Sequence, residues 1–377
     1  MRIAIDSRFL RPPLEGFGRF TKEVVSRLLQ AHPAVEWDLL FDRKPLPGYD
    51  LSGREHAFVL PPPTRHWSLY EVWWRFSVPL YFLSRRPNAI FATYGLVSRA
   101  AARCTPTVAF IHDVAFARHP EFLPRDWSWY YKSAFRRTVQ AAHLLLANSI
   151  SVQEDLIELF QAPPNKIRVA YNGCDIDFFH PLPHLDVSSV RQRYAKGYPY
   201  LLYVGSLHPR KNIMRLLMAY DLLRQRYHLP LRLLLVGRFL FRRGEMLSAY
   251  ESMRYKSEVI FHKPVPDEEL RLLYNAAEVV VYPSLYEGFG YPVVEALACG
   301  APVVTSSCSS LPEVGGEAAF YANPFDPSSL AEVMEAALLQ SKEERQRRAQ
   351  AGRLHVQRFR WDNVVATIWT ALKEIAT

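Results

Sequence analysis

Apolar residues fall along this chain in short continuous runs, each followed by a segment whose apolar positions recur at helical spacing. The first run is RIAID (2–6), then a loop with Gly16 and Gly18, then a helical pattern from Arg19 to Leu29. TVAFIHD (107–113), HLLLANS (143–149) and KIRVAYNG (166–173) follow, with helix-like stretches at 125–142 and 150–160. These strands are continuously apolar rather than alternating. That is what a parallel sheet covered on both faces requires, and strands alternating with helices predict a doubly wound α/β domain.

At 180–187 the pattern lapses into HPLPHLDV, whose prolines and missing apolar period read as a linker. It then restarts with YLLYVGS (200–206), LRLLLVG (231–237), VIFHK (259–263), EVVVYPS (278–284), APVVTSS (301–307) and AAFYAN (318–323). A second Rossmann-like domain is expected here, and Trp361 to Ile375 reads as a further amphipathic helix. The expected division is residues 1–184, 185–358 and 359–377. Two such domains with a hinge suggest a ligand in a cleft between them, met by loops at the carboxyl ends of strands.

Composition narrows the partners. The 377 residues suffice for two domains, and 49% hydrophobic with 22% charged residues is an ordinary globular balance. Aromatic residues make up 13% and gather in the first half. A net charge of +9 favours anionic partners, against the plainer reading of a dispersed basic surface. No run of five Lys/Arg exists, so a nucleic-acid arm is not supported and no nucleic-acid partner is expected. Cys104, Cys174, Cys299 and Cys308 form no C-x-x-C pair and stand beside no histidine cluster. Zinc and redox motifs therefore lack support, and a reducing compartment fits. The N-terminus has no apolar signal core, and no run reaches the ~18–20 residues of a membrane span. A cytoplasmic protein, soluble or peripheral at a membrane, is expected.

The candidate chemistry lies where strands end. In YVGSLHPRKN (203–212), Arg210 and Lys211 stand at the entry to a helix. A helix N-terminus already carries partial positive charge, so cations there are mismatched unless an anion such as a diphosphate binds. The alternative is a pair of solvated surface cations. In LYEGFGYPVVEALACG (285–300), Glu287 follows a strand and Glu295 lies beyond Pro292, in the first turn or so of a helix. Gly288 and Gly290 between them let backbone N–H groups approach a ligand. Two carboxylates so placed can accept from sugar hydroxyls, or be acids without a task. LEGFGRF (14–20) puts a glycine loop after the first strand, but Thr21 stands where G-x-G-x-x-G needs glycine. Asp38 and Asp42 are weak candidates for the acid of a nicotinamide site. His112 and Asp113 end the strand TVAFIHD, and a histidine there is either a hydrogen-bonding or acid/base group or a structural one. Asp175-Ile176-Asp177 reads as a structural turn before a metal site. Residues 64–86 mix seven aromatics with basic residues. They read as a core helix with a few outward arginines ahead of a membrane-facing surface.

Together these segments resemble the retaining glycosyltransferases of family four, which have the GT-B fold. EGFGYPVVE matches their E-x7-E motif. GFGRF looks like the Gly-x-Gly-Arg-aromatic loop of mannosyltransferase-like members, FIHD like their His-Asp strand end, and YVGSLHPRKN like their diphosphate loop. ANSISVQEDLI, YNGCDIDFF and FRWDNVVATIWTALKEI are similar to the first domain's end and to a terminal helix that crosses back to it. The resemblance implies two Rossmann-like domains facing a central cleft. It also implies metal- and cofactor-independent transfer of a hexose from a nucleotide-sugar, GDP-mannose as leading donor, to a glycan or lipid-linked acceptor. By carry-over, Arg210 and Lys211 hold the diphosphate and Glu295 the ribose. Glu287, with the backbone of Phe289 and Gly290, holds the donor sugar. Gly16 and Gly18 approach the phosphates or sugar, and His112 lies beside the reacting centre. Ser206 departs from the arginine that many members carry there, so Arg210 is expected to take over its load. A non-catalytic sugar- or anion-binding protein on the same fold is the alternative.

Overall fold

The computed structural model describes residues 1–11, 16–45, 55–64, 66–226, 230–239 and 244–376. Leu14, Glu15 and Arg65, which fall within two of the segments quoted above, lie outside the described residues. Strands β1 (Arg2–Asp6), β2 (Glu36–Phe41), β3 (Glu55–Val59), β4 (Ala89–Ala92), β5 (Thr107–Ile111), β6 (Leu144–Ala147) and β7 (Ile167–Val169) form one sheet in the order β3-β2-β1-β4-β5-β6-β7. Strands β8 (Tyr200–Val204), β9 (Arg232–Val236), β10 (Val259–His262), β11 (Val279–Tyr282), β12 (Val303–Ser306) and β13 (Phe320–Ala322) form a second, in the order β10-β9-β8-β11-β12-β13. Every pairing within these sheets is parallel, from Ile3 opposite Trp37 in the first to Val280 opposite Val303 in the second. The apolar runs are continuous because both faces are covered: all of β4, β5, β6, β11 and β12 is buried.

Each strand order reverses once, at β1/β4 and at β8/β11. Loops leaving such a neighbouring pair diverge and open a crevice at the carboxyl ends, where ligands of open α/β sheets bind. These reversals place the candidate residues.

Two compact units result, one of Met1–Gly173 with Trp361–Thr377, the other of Cys174–Arg360. The segment after Gly173, assigned on sequence to the first domain, bonds within the second. Cys174 N–H donates to Phe359 O at 2.8 Å and Leu182 N–H to Asn275 Oδ1 at 2.8 Å. The helix Trp361–Ala376 joins the first unit's core, where Trp361, Val364, Ile368 and Leu372 pack with Phe20, Val24 and Leu28.

Three local findings differ from expectation. The helix Phe17–Ala31 starts before Arg19, so Gly18 is buried within its first turn and is not a loop residue. Only Gly16, with φ 48°, needs glycine's freedom in that turn. Phe17 begins the helix because its ring is held by Tyr94 (4.8 Å) and His112 (4.7 Å). Second, residues 67–85 form a continuous helical run with a wider turn at Trp73–Ser77. Its inner face buries Tyr70, Trp73, Trp74, Val78, Tyr81 and Phe82, as a core helix should, but its outer face carries large apolar side chains as well as arginines. Third, β2, β3 and β4 match none of the runs read from the sequence. Asp177 pairs with Arg360 at 2.8 Å, and Asp175 Oδ1 accepts the Phe178 N–H at 3.1 Å, which is the structural turn expected of that triplet.

Gly173 abuts the tail helix: a Cβ there would lie 2.1 Å from Cδ2 of Trp361. Because that ring is buried, Gly173→Ala is expected to cost about 1–3 kcal/mol by overpacking. Thermal unfolding checks this, and an unchanged midpoint would show that the tail can yield.

Candidate active site

Arg210 and Lys211 follow β8, and Glu287 follows β11, its neighbour across the reversal of the second sheet. Seventy-six residues separate Lys211 from Glu287, yet Lys211 Nζ donates to Glu287 Oε1 at 2.5 Å. Arg210 Nη1 donates to Glu287 Oε2 at 2.8 Å and to Tyr286 O at 2.7 Å. Tyr282 OH, at the end of β11, lies 3.0 Å from Glu287 Oε1 and accepts from Lys211 Nζ at 2.6 Å.

The cations do not sit at a bare helix N-terminus. Pro209–Lys211 is a single 3-10 turn capped by His208, whose Nδ1 accepts the Arg210 N–H at 3.1 Å. Asn212 then takes a left-handed conformation, φ 62°, and the helix Ile213–Arg226 begins. Asn212 Nδ2 donates to Pro283 O (3.0 Å) and Pro324 O (2.6 Å), tying the turn to the loops after β11 and β13. The mismatch read from the sequence is thus met inside the protein by Glu287.

Two cations face one carboxylate, with side-chain exposures of 20% (Arg210), 11% (Lys211) and 8% (Glu287). Burial pushes the Glu287 carboxyl upward, but Arg210 and Lys211 outweigh it and hold it at about 2. Burial, then Arg210 and Lys211, drive His208 down to about 4, so its ring is neutral and fit to accept the Arg210 N–H.

Phe289 and Gly290 continue from Glu287 into the helix Tyr291–Ala298. Gly290 is its N-cap at φ 112°, and a Cβ there would meet Leu311 Cδ2 at 2.9 Å. The first N–H groups of a helix lack intrahelical partners and can meet a ligand. Ser310 Oγ lies 3.0 Å from Glu287 O and 2.8 Å from Phe289 O, clamping this loop, while Ser309 Oγ accepts the Glu287 N–H at 3.0 Å. Glu295 is buried further along the helix, accepting from Tyr274 OH at 2.9 Å. Tyr274, Tyr282, Ser309 and Ser310 were missed on sequence. The serine-rich stretch after APVV was a usable signal for two of them, since it too follows a strand.

In the first unit, His112 follows β5 and packs against the rings of Phe17, Phe20 and Phe110, with centroids 4.7–4.8 Å away. Its Nε2 lies 2.8 Å from Thr93 O, which accepts only, so Nε2 carries the proton. Burial lowers its pKa to about 4, so at neutral pH the ring is uncharged. Gly16 and Gly18 flank Phe17 at the head of the neighbouring helix. Beside them is a cavity of about 360 Å³ lined by Phe17, Gly18, Trp67, Tyr94, Trp127 and Tyr130 among others. Arg8 lies at its wall, bonded to Asp6 at 2.7 and 2.6 Å and packed between Tyr70 (4.1 Å) and Trp73 (4.0 Å). Asp38 and Asp42 have structural partners: Asp38 takes Tyr81 and Arg85, Asp42 takes Arg43 and Thr64. Among the described residues no three His, Cys, Asp or Glu side chains converge on one point.

Residues 15–178 match the profile of Glycosyltransferase Family 4, and residues 188–355 that of Glycosyl transferases group 1. The chain is 30% identical to O-antigen chain mannosyltransferase B of Escherichia coli, across 99% of this chain and all of that one. This chain belongs to the family 4 glycosyltransferases. The glycosyltransferase is also 32% identical to MMP alpha-(1->4)-mannosyltransferase of Mycolicibacterium hassiacum, over 69% of this chain and 63% of that one. Its fold is that of sucrose-phosphate synthase from Thermosynechococcus elongatus, with a TM-score of 0.79, 19% identity, and 99% and 98% of the chains covered. It is also that of Anabaena HepE, solved in complex with UDP-glucose, with a TM-score of 0.74, 18% identity, and 99% and 100% covered. The enzyme therefore has the two-domain α/β GT-B architecture that the EGFGYPVVE resemblance implied.

The pairing of Glu287 makes stability depend on acid. Its folded carboxyl lies at about 2, below its ordinary 4.5, so its contribution is present above about pH 4.5 and is lost as pH falls through about 2. That contribution is on the order of 3 kcal/mol. Glu287→Gln is expected to flatten the acid limb of a stability–pH curve and to lower stability at pH 7. A variant with the wild-type acid limb would show that other carboxylates govern it.

Proposed function

We propose that this glycosyltransferase moves a hexose, mannose, from GDP-mannose to a hydroxyl of a glycan or lipid-linked acceptor, retaining configuration at the anomeric carbon. The observation that carries the reading is the convergence of Arg210 and Lys211, after β8, with Glu287, after β11, at the carboxyl ends of the two strands that flank the reversal of the second sheet. A nucleoside diphosphate is the anion that two cations at such a position would take. The full-length relative named a mannosyltransferase supports the choice of sugar.

Arg210, the most exposed of the three groups, turns toward the diphosphate, and Lys211 holds Glu287 with Tyr282. As the bond from the anomeric carbon to the diphosphate breaks, negative charge grows on the leaving oxygen, where a fixed cation stabilises it. The acceptor oxygen bonds to that carbon on the same face, and its proton passes to the departing phosphate oxygen. This needs no resident metal or cofactor, because the cations act where the charge develops. Glu287 and the backbone of Phe289 and Gly290 receive the sugar's hydroxyls, and Glu295 the ribose. For the first unit, Gly16 and Gly18 are assigned to backbone approach to the donor. His112 is assigned to hydrogen bonding as a neutral ring, since a pKa of about 4 rules out an imidazolium at pH 7.

The acceptor glycan is assigned to the aromatic cavity of the first unit, where Trp67 and Trp127 offer flat apolar faces to a sugar ring. A cytoplasmic site of action, peripheral to the membrane that would hold a lipid-linked acceptor, completes the reading. A non-catalytic role is not favoured.

Arg210→Ala is expected to lower transfer by about 10²–10³-fold while the protein stays folded. Initial rates with GDP-mannose and an acceptor glycan test it, and normal turnover overturns the role of Arg210. A thermal-shift screen of GDP, UDP and their sugars tests the base, with GDP expected to stabilise most. Trp67→Ala is expected to raise the KM for acceptor about tenfold, a loss of about 1.4 kcal/mol, without changing donor hydrolysis. An unchanged KM places the acceptor elsewhere.

A further inference from the structure

The helical run 67–85 is apolar on both faces, and a helix that is hydrophobic all round is normally buried on all sides. This one is not. Leu69, Val72, Phe76, Leu80 and Leu83 face outward, with exposures of 36, 40, 62, 65 and 68%. Their spacing of three or four residues makes one stripe along the run, and the wider turn at Trp73–Ser77 keeps it in line while the opposite face stays in the core. No helix among the described residues is long and apolar enough to cross a membrane, so the stripe is not part of a span.

Among the described residues, cations predominate on the run and on the short helix beside it. The only acid on the run is Glu71, and it is engaged by Arg75 at 3.0 Å and by Arg137. Arg75 and Arg86 are exposed at the stripe's flank and its end. The short helix Arg99–Cys104 packs beside Val78–Arg85 and adds the exposed Arg99 and Arg103. An apolar stripe rimmed by cations suits a surface that is apolar below and anionic at its face. It does not suit a second copy of this chain, since a two-fold contact would set the same arginines near one another.

We propose that this stripe docks the enzyme on an anionic lipid bilayer, with Phe76, Leu80 and Leu83 entering the headgroup boundary and Arg75, Arg86, Arg99 and Arg103 meeting lipid phosphates. The run lies parallel to the bilayer and does not cross it. The use of such docking rests on the transferase reading, because it would hold the enzyme where lipid-linked acceptors lie. The surface chemistry is independent of that reading.

The test is co-sedimentation of the full chain with vesicles of phosphatidylglycerol and phosphatidylcholine, beside vesicles of phosphatidylcholine alone. Binding is expected to the anionic vesicles and to fall as salt is raised. The variant Phe76→Ser/Leu80→Ser/Leu83→Ser is expected to reduce the partition constant at least tenfold. Arg86→Gln/Arg103→Gln is expected to reduce it severalfold on anionic vesicles only. Transfer to a water-soluble acceptor, measured in parallel, is expected to be unchanged in both variants, which shows that they are folded. Equal partitioning of wild type and the triple variant overturns the proposal, as does absence of binding. A concentration-dependent dimer in light scattering that the triple variant abolishes overturns it too, by assigning the stripe to a second copy. Failure of transfer with vesicle binding intact would count against the catalytic reading alone.

Discussion

The second unit turns on one carboxylate held between two cations. Glu287 is buried, and a lone buried carboxylate would cost several kcal/mol or take up a proton. Arg210 and Lys211 keep it ionised, and it in turn allows them to lie where they do. The arrangement fixes the loops after β8 and β11 to each other. The same interaction holds the loops and gathers two cations at the carboxyl ends of these strands. Tyr282, Asn212, Ser309 and Ser310 serve this centre by bonding its side chains or the carbonyl and N–H groups beside them.

The first unit uses its aromatic residues differently. Rings of Phe17, Phe20 and Phe110 pack against His112, burial lowers its pKa so that the imidazole is neutral, and Thr93 O fixes the proton on Nε2. Others line an open cavity beside the same helix. A third group supports the run 67–85 from within, so that its outer apolar residues remain exposed. One composition thus serves a ring cluster around a histidine, an open cavity and a surface stripe. The aromatic content alone did not separate the three, because partition between them depends on which side of a helix meets the sheet.

What the sequence determined is local. Ten strands and the helices at 125–141, 150–160 and 361–376 were legible, because a parallel sheet covered on both faces demands continuous apolar runs and the helices keep their own period. The E-x7-E segment and its companions were recognised by their resemblance to a family, not by period, and the structure brings Glu287 of that segment to Arg210 and Lys211. β4, with four residues, is too short to announce itself, and β2 hides its character behind a buried Asp38 that Tyr81 and Arg85 satisfy. Tertiary structure alone decided that β8 and β11 would be neighbours. From that followed the meeting of Lys211 with Glu287, and the conversion of an apparent mismatch at a helix start into a paired charge. Spacing along a chain cannot specify it, because the order of strands in a sheet is set by how whole layers pack.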